Sequence, residues 1–310
     1  MRLDDEVRNI FDGAGAPVLE DMIFLGYRGS IAHGTYAPSS DPNSIDDKDL
    51  MGVFVGPTEH YLGFGRQEIF EKWVGEWDTV SYELRKFVRL LLKSNPTLLS
   101  MLWLEEEHVL LETPAWTRLV ENRRLFVSRQ VYHSFVGYAR SQIRKMTRLA
   151  KPKESVEAEL GLVGVEIQFR EGRTVNDPTF KHPDYETYSL NNLRAHRNAL
   201  KGQTGYMGQK RKALVEEHGF DTKNAAHTIR LLRMGVEFLR DGELQVYRED
   251  APDLLAIKRG ERSIESIEAE TAELFRVAEE EHDNSSLPER PDRESVEKLL
   301  VEMIRAHQER

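Results

Sequence analysis

A chain of 310 residues with 39% apolar content is long enough for one large domain or two ordinary ones, and disorder throughout is excluded. A formal net charge of -10 argues against a general nucleic-acid coat protein, because Lys and Arg supply most non-specific phosphate affinity. Without cysteine there are no disulfides, thiolate zinc sites or Cys nucleophiles, so any metal must be held by carboxylates or histidines. No apolar run approaches the roughly 20 residues that span a bilayer, and residues 1–6 carry neither a basic end nor an apolar signal core. The expectation is a soluble, cytoplasmic protein with no membrane partner.

Residues 4–20 read as a short helix broken by Gly13, Gly15 and Pro17. The apolar run 22–25 is short enough for a buried strand and leads to Gly29-Ser30, where glycine lets the backbone turn tightly against a ligand. Residues 33–44 are dense in turn formers, so they read as a loop. A second apolar strand, 50–55, is entered through Asp47-Lys48-Asp49. In extended chain residues i and i+2 share a side, so Asp47 and Asp49 converge while Asp46 and Lys48 face away. Two converging carboxylates repel unless a cation lies between them, and hard oxygens suit magnesium.

A third extended segment is expected near residues 72–80. It contains Asp78, which reads either as a third carboxylate for the pair or as a polar residue at a turn or N-cap. From Ser81, a plausible N-cap, the apolar period lengthens and predicts a helix with Leu84, Phe87, Val88, Leu91 and Leu92 on one stripe. Asn95-Pro96 and Thr113-Pro114 are helix starts, and the chain is expected to be helical onward from there. Candidates cover 131–149, 156–170, 190–200, 208–218, 222–240, 264–281 and 294–307, with Gly202, Gly219 and Gly242 where helices end. Residues 284–291 look like a flexible connector to the last amphipathic helix. The expected class is α+β: a small mixed sheet with flanking helices over 1–112, a helical domain over 113–282, and a linker with a C-terminal helix over 283–310.

The order Gly29-Ser30, Asp47-x-Asp49, then Asp78 on a later strand resembles the signature of the DNA polymerase β-like nucleotidyltransferase superfamily. Residues 82–87 with Asn95-Pro96, and 223–232, look like the branch of that superfamily associated with RNA repair, and the resemblance runs from about residue 23 to 262. Two features depart from the superfamily pattern: the loop between Ser30 and Asp47 is longer than usual, and Lys48 stands where an apolar residue is typical. The resemblance implies that Gly29 and Ser30 bind phosphate and that Asp47, Asp49 and Asp78 hold two Mg2+ (or Mn2+) ions. An acceptor hydroxyl would attack the α-phosphate of an NTP or dNTP, pyrophosphate would leave, and Asp78 would act as general base or orient the hydroxyl.

Further candidates rest on spacing. Lys223, His227 and Arg230 fall at steps of four and three on one helix face, and read either as a phosphate or acceptor contact or as a polar stripe with a buried histidine. Lys210 and Arg211 read as triphosphate ligands or as a solvated helix. Tyr138, on a helix with Gln142 and Lys145, stacks on a base or packs in the core. His33, next to Gly34 in the loop, reads either as a phosphate contact or as a lone histidine without a ligand role. Basic residues cluster at 123–153 and 201–212, which favours a nucleic-acid partner, an RNA or DNA 3′ end. Transfer of AMP to a protein or small molecule is the alternative, mildly favoured by net acidity.

Overall fold

The computed structural model describes residues 5–11, 17, 19–38, 40, 41, 44, 48–64, 67–146, 153–170, 193, 194, 196, 197 and 209–309. The strands β1 (Met22–Tyr27), β2 (Lys48–Phe54), β3 (Ile69–Val74), β4 (Trp77–Glu83) and β5 (Val109–Glu112) form one sheet in the order β3-β4-β2-β1-β5. Only β2 and β4 pair in parallel; the other neighbours are antiparallel.

The central strands are buried on both faces, which is why they read as continuous apolar runs. Met22, Leu25, Leu50, Phe54 and Trp77 pack with Val7, Ile10 and Phe11 of helix α1 (Asp5–Phe11). Phe24, Met51 and Val53 face the other way. There they join Leu84, Phe87, Val88 and Leu91 of helix α4 (Leu84–Leu91), which lies beyond the single turn α2 (Gly29–Ala32) and helix α3 (Thr58–Leu62).

Three local expectations change. The segment expected at 72–80 is a hairpin turning at Gly75, with φ +61°, so Asp78 lies on its second arm, one residue into β4. The strand runs through Ser81, paired with Gly52, to Glu83, and it is the fully buried Glu83 that caps α4. Its carboxylate accepts from the backbone N–H of Arg85 at 2.8 Å and of Lys86 at 3.1 Å, and from the Tyr61 hydroxyl at 2.8 Å. Finally, β5 adds a fifth strand at the end of the 1–112 region expected to hold the mixed sheet, where the sequence marks no extended segment.

Asn95 caps helix α5 (Pro96–Ser100) as its sequence implies, while Thr113, before helix α6 (Pro114–Glu121), turns its hydroxyl to the Ile23 carbonyl instead. Helix α7 (Val131–Met146) follows. Beyond it come α8 (Lys153–Arg170), α9 (Gln209–His218), α10 (Thr222–Asp241), α11 (Ala251–Lys258), α12 (Ile264–Asn284) and α13 (Arg293–Gln308). Most of the helix expected at 190–200, and Gly202, lie outside the described residues.

The chain divides into two compact units, Met1–Ile143 with Lys223–Arg310, and Arg144–Thr222. In the first, the last helix docks into the main core through Val296, Leu299 and Met303. In the second, Val163, Ile167 and Leu193 form a small cluster. The mixed sheet, its flanking helices and the helical C-terminal region agree with the α+β class. No described helix is long and apolar enough to cross a membrane.

Candidate active site

The site is built where β1 ends. Arg28 is still extended, and its N–H donates to the Asp49 carbonyl at 3.0 Å. Gly29 then takes φ +63° and opens the turn α2, whose leading N–H groups have no intrahelical partner. A Cβ added at Gly29 would stand 2.3 Å from Asp49 Oδ2, so the Asp49 carboxylate sits directly over the glycine. Only a residue without a side chain combines this backbone with that neighbour.

The parallel register of β2 and β4 pairs Asp49 with Asp78. Arg28 Nη2 lies 2.6 Å from Asp78 Oδ2 and 3.1 Å from Asp49 Oδ1, and Arg28 Nε donates to the Leu50 carbonyl at 3.2 Å. Asp47 lies outside the described residues. Lys48 turns away from the pair, its Nζ 3.4 Å from Glu76 and 5.0 Å from the centre of the Trp77 ring.

Among the described residues no cluster of three His, Asp or Glu side chains is arranged around a metal position. The Asp49 and Asp78 oxygens nevertheless fit magnesium, which is commonly held by one or two carboxylates and completes its shell with water and phosphate oxygens.

A cavity of about 290 Å³ opens beside the pair. Gly29, Ser30, His33 and Asp49 line it, together with Lys223, His227 and Arg230 from one face of α10. Arg28, Thr35, Tyr138 and Lys258 also reach it, as do Pro96, Thr97 and Ser100 at the start of α5. Asp78 is held to this group through Arg28 and its strand pairing.

The electrostatics are lopsided. Among the described residues Asp49 is the single carboxylate lining the cavity, against Arg28, Lys223, Arg230 and Lys258. Burial, then the neighbouring Arg248 charge, pushes the pKa of Arg230 down to about 10, so it stays charged at neutral pH. Among the described residues Arg230 has no carboxylate at ion-pair distance; its one polar contact is Nη1 to Met234 Sδ at 3.9 Å. A half-buried guanidinium without a carboxylate beside it favours an anion that completes it. Lys258 Nζ donates to the Thr35 carbonyl at 2.8 Å, steadying the loop after α2. His33 is buried, with Nδ1 2.8 Å from the Val246 carbonyl. A carbonyl only accepts, so Nδ1 carries the proton. Burial, reinforced by Arg230, sets the His33 pKa well below its ordinary 6.5, and the ring is neutral.

Arg211 forms a two-point ion pair with Asp221 at 2.7 and 3.1 Å within the second unit, and the Lys210 side chain lies outside the described residues. Arg28 was missed although it abuts Gly29, because its role depends on strand pairing. Lys258 carried no signal, being 223 positions from the carbonyl it meets.

An uncharacterized 38.9 kDa protein from the nrdC-mobD intergenic region of Enterobacteria phage T4 is 23% identical over 292 residues, covering 79% of this chain and 85% of the phage protein. No solved structure matches the chain. Residues 5–302, which include every residue of the cavity, match the RlaP family, and the chain belongs to this RNA repair pathway DNA polymerase beta family.

Proposed function

We propose that the protein is a metal-dependent nucleotidyltransferase that moves a nucleoside monophosphate from an NTP or dNTP to a hydroxyl, the 3′-OH of a nucleic-acid end in RNA repair or end processing. The observation carrying this reading is the polarity of one cavity: Asp49, paired in register with Asp78, suits divalent cations, and Lys223, Arg230 and Lys258 in the same lining suit a polyphosphate. The family description supports RNA as the acceptor.

Asp49 and Asp78, with Asp47 by its i+2 spacing, are the residues that would hold two Mg2+ or Mn2+ ions. Bound there, such ions neutralise phosphate charge and stabilise the entering and leaving oxygens of an in-line displacement. Gly29 and Ser30 bring backbone N–H groups and a hydroxyl to the phosphates. Lys223, Arg230 and Lys258 neutralise the β- and γ-phosphates and hold the pyrophosphate as it leaves. The acceptor oxygen bonds to the α-phosphorus, the bond to the bridging oxygen of pyrophosphate breaks, and an Asp78 carboxylate oxygen takes the hydroxyl proton. Tyr138, 43% exposed at the cavity rim and 5.5 Å from the His227 ring, offers a face for a base.

The test is incubation with each labelled nucleoside triphosphate, magnesium or manganese, and RNA and DNA oligonucleotides. Primer extension that Asp49→Asn abolishes is the expected result. Label on protein alone would replace the acceptor assignment with protein nucleotidylation, and no transfer to any acceptor would refute the reading.

A further inference from the structure

Resting on the reading of the site just given, we propose that Arg28 is an internal cation that occupies the Asp49–Asp78 pair in the metal-free protein and exchanges it for the phosphates of the incoming nucleotide. Metal ion and nucleotide thereby bind cooperatively, and the ion alone binds weakly.

The exchange rests on three facts about Arg28. First, it is committed to both acids at once through Nη2, at 2.6 and 3.1 Å, with each side chain of the trio no more than 26% exposed. Charges so sheltered are weakly screened, and the two carboxylates would repel each other without it. Second, a hard divalent ion needs the same oxygens at about 2.0–2.1 Å, so it and the guanidinium compete for them. Third, Arg28 lines the cavity with the phosphate-side cations, and its Nε is tethered to the Leu50 carbonyl at 3.2 Å. Displaced from the acids, the guanidinium lies beside the polyphosphate position, and its fork geometry matches phosphate oxygens two at a time. Each ligand removes what opposes the other: the ion frees Arg28 for phosphate, and phosphate draws Arg28 from the acids. The coupling is reciprocal, because linkage requires each to tighten the other by one factor.

A purely structural clamp predicts the opposite sign. If Arg28 only held the acids in place, its loss would splay them and weaken ion binding.

The experiment is calorimetric titration of the full chain with Mn2+ alone, with a non-hydrolysable nucleoside triphosphate analogue alone, and with both, comparing wild type and Arg28→Gln. Arg28→Gln is expected to bind Mn2+ alone about ten-fold more tightly, to bind the metal-free analogue about ten-fold more weakly, and to lose most of the mutual enhancement. Mn2+ affinity that is unchanged or weaker in a folded Arg28→Gln protein overturns the proposal, as does unchanged analogue affinity. If thermal melting shows that this variant does not fold, Arg28→Lys takes its place, since one ammonium cannot reproduce the fork. It should shift both affinities in the same directions by smaller factors, and no shift overturns the proposal. Failure of the underlying function looks different: wild type itself would bind neither Mn2+ nor the analogue, even together.

Discussion

Gly29→Ala and Gly75→Ala form a matched pair that isolates what the Gly29 turn does. The two glycines have nearly the same backbone, φ +63° and +61°, so alanine costs each about 1–2 kcal/mol of conformational strain. Their surroundings differ: nothing lies within 4 Å of a Cβ at position 75, whereas at position 29 it meets Asp49 Oδ2 at 2.3 Å. To restore the 3.4 Å of ordinary contact, the carboxylate must retreat by about 1 Å, or the turn must open by as much. Asp49 cannot yield without disturbing its bridge through Arg28 to Asp78. A displacement of that size at a catalytic group is worth about 100-fold in rate. Both variants should therefore lose a few degrees in thermal melting, and only Gly29→Ala should lose about 100-fold in kcat/KM for labelled-nucleotide incorporation into an RNA primer. Near-wild-type turnover by Gly29→Ala, or an equal loss in Gly75→Ala, would refute the claim that Asp49 is seated on Gly29 for catalysis.

Asp78→Asn keeps the shape of β4 but removes the carboxylate proposed to accept the proton, and should lower kcat by about 100- to 10,000-fold while circular dichroism stays that of wild type; a loss under about ten-fold would remove Asp78 from the mechanism. Arg230→Gln removes the charge that has no carboxylate partner among the described residues, and should weaken triphosphate-analogue binding by about ten- to 100-fold without lowering the melting temperature; loss of stability with unchanged affinity would make Arg230 structural. His33 binds its proton less readily folded than unfolded, so between its lowered pKa and 6.5 the unfolded chain holds more protons and stability falls as pH drops. Its contribution is complete above pH 6.5 and lost below the folded pKa, and His33→Asn should flatten the melting profile between pH 7 and 5; an unchanged slope would contradict this. Glu83→Ala strands the Arg85 and Lys86 N–H groups and the Tyr61 hydroxyl, and should cost about 2–4 kcal/mol in denaturant unfolding, with a cost below about 1 kcal/mol arguing against the buried cap.

Local signals made part of this architecture legible. The strands β1 and β2 and the helices α4, α10, α12 and α13 carry their own period, and Asn95 announces α5 through a cap confined to neighbouring residues. The hairpin arms β3 and β4 were harder because β3 is an edge strand, with Trp73 60% exposed, so burial does not impose a clean alternation on it. The four residues of β5 gain their identity from pairing with β1, more than 80 positions away. Glu83 looks like a solvated acid until Tyr61 and the first turn of α4 are placed around it.

The same division between local and distant explains the site. Gly29, Ser30 and Asp49 are readable because a tight turn and an i, i+2 acid pair are written within a few residues, and the Lys223, His227 and Arg230 face is readable as a helical stripe. What could not be read was the partner of each basic stripe: Arg211 offered the same pattern and is committed to Asp221. Net charge did not help. The chain carries -10 overall, while some of its acid is spent on surface pairs such as Glu273 and Glu280 with Arg276, more than half exposed. Such charges set solubility and long-range fields, whereas the proposed phosphate binding would depend on a few cavity cations such as Arg230. Arg28 joins the two scales: it adjoins the most legible turn in the sequence, yet only the β2–β4 register shows that it bridges two acids 29 positions apart.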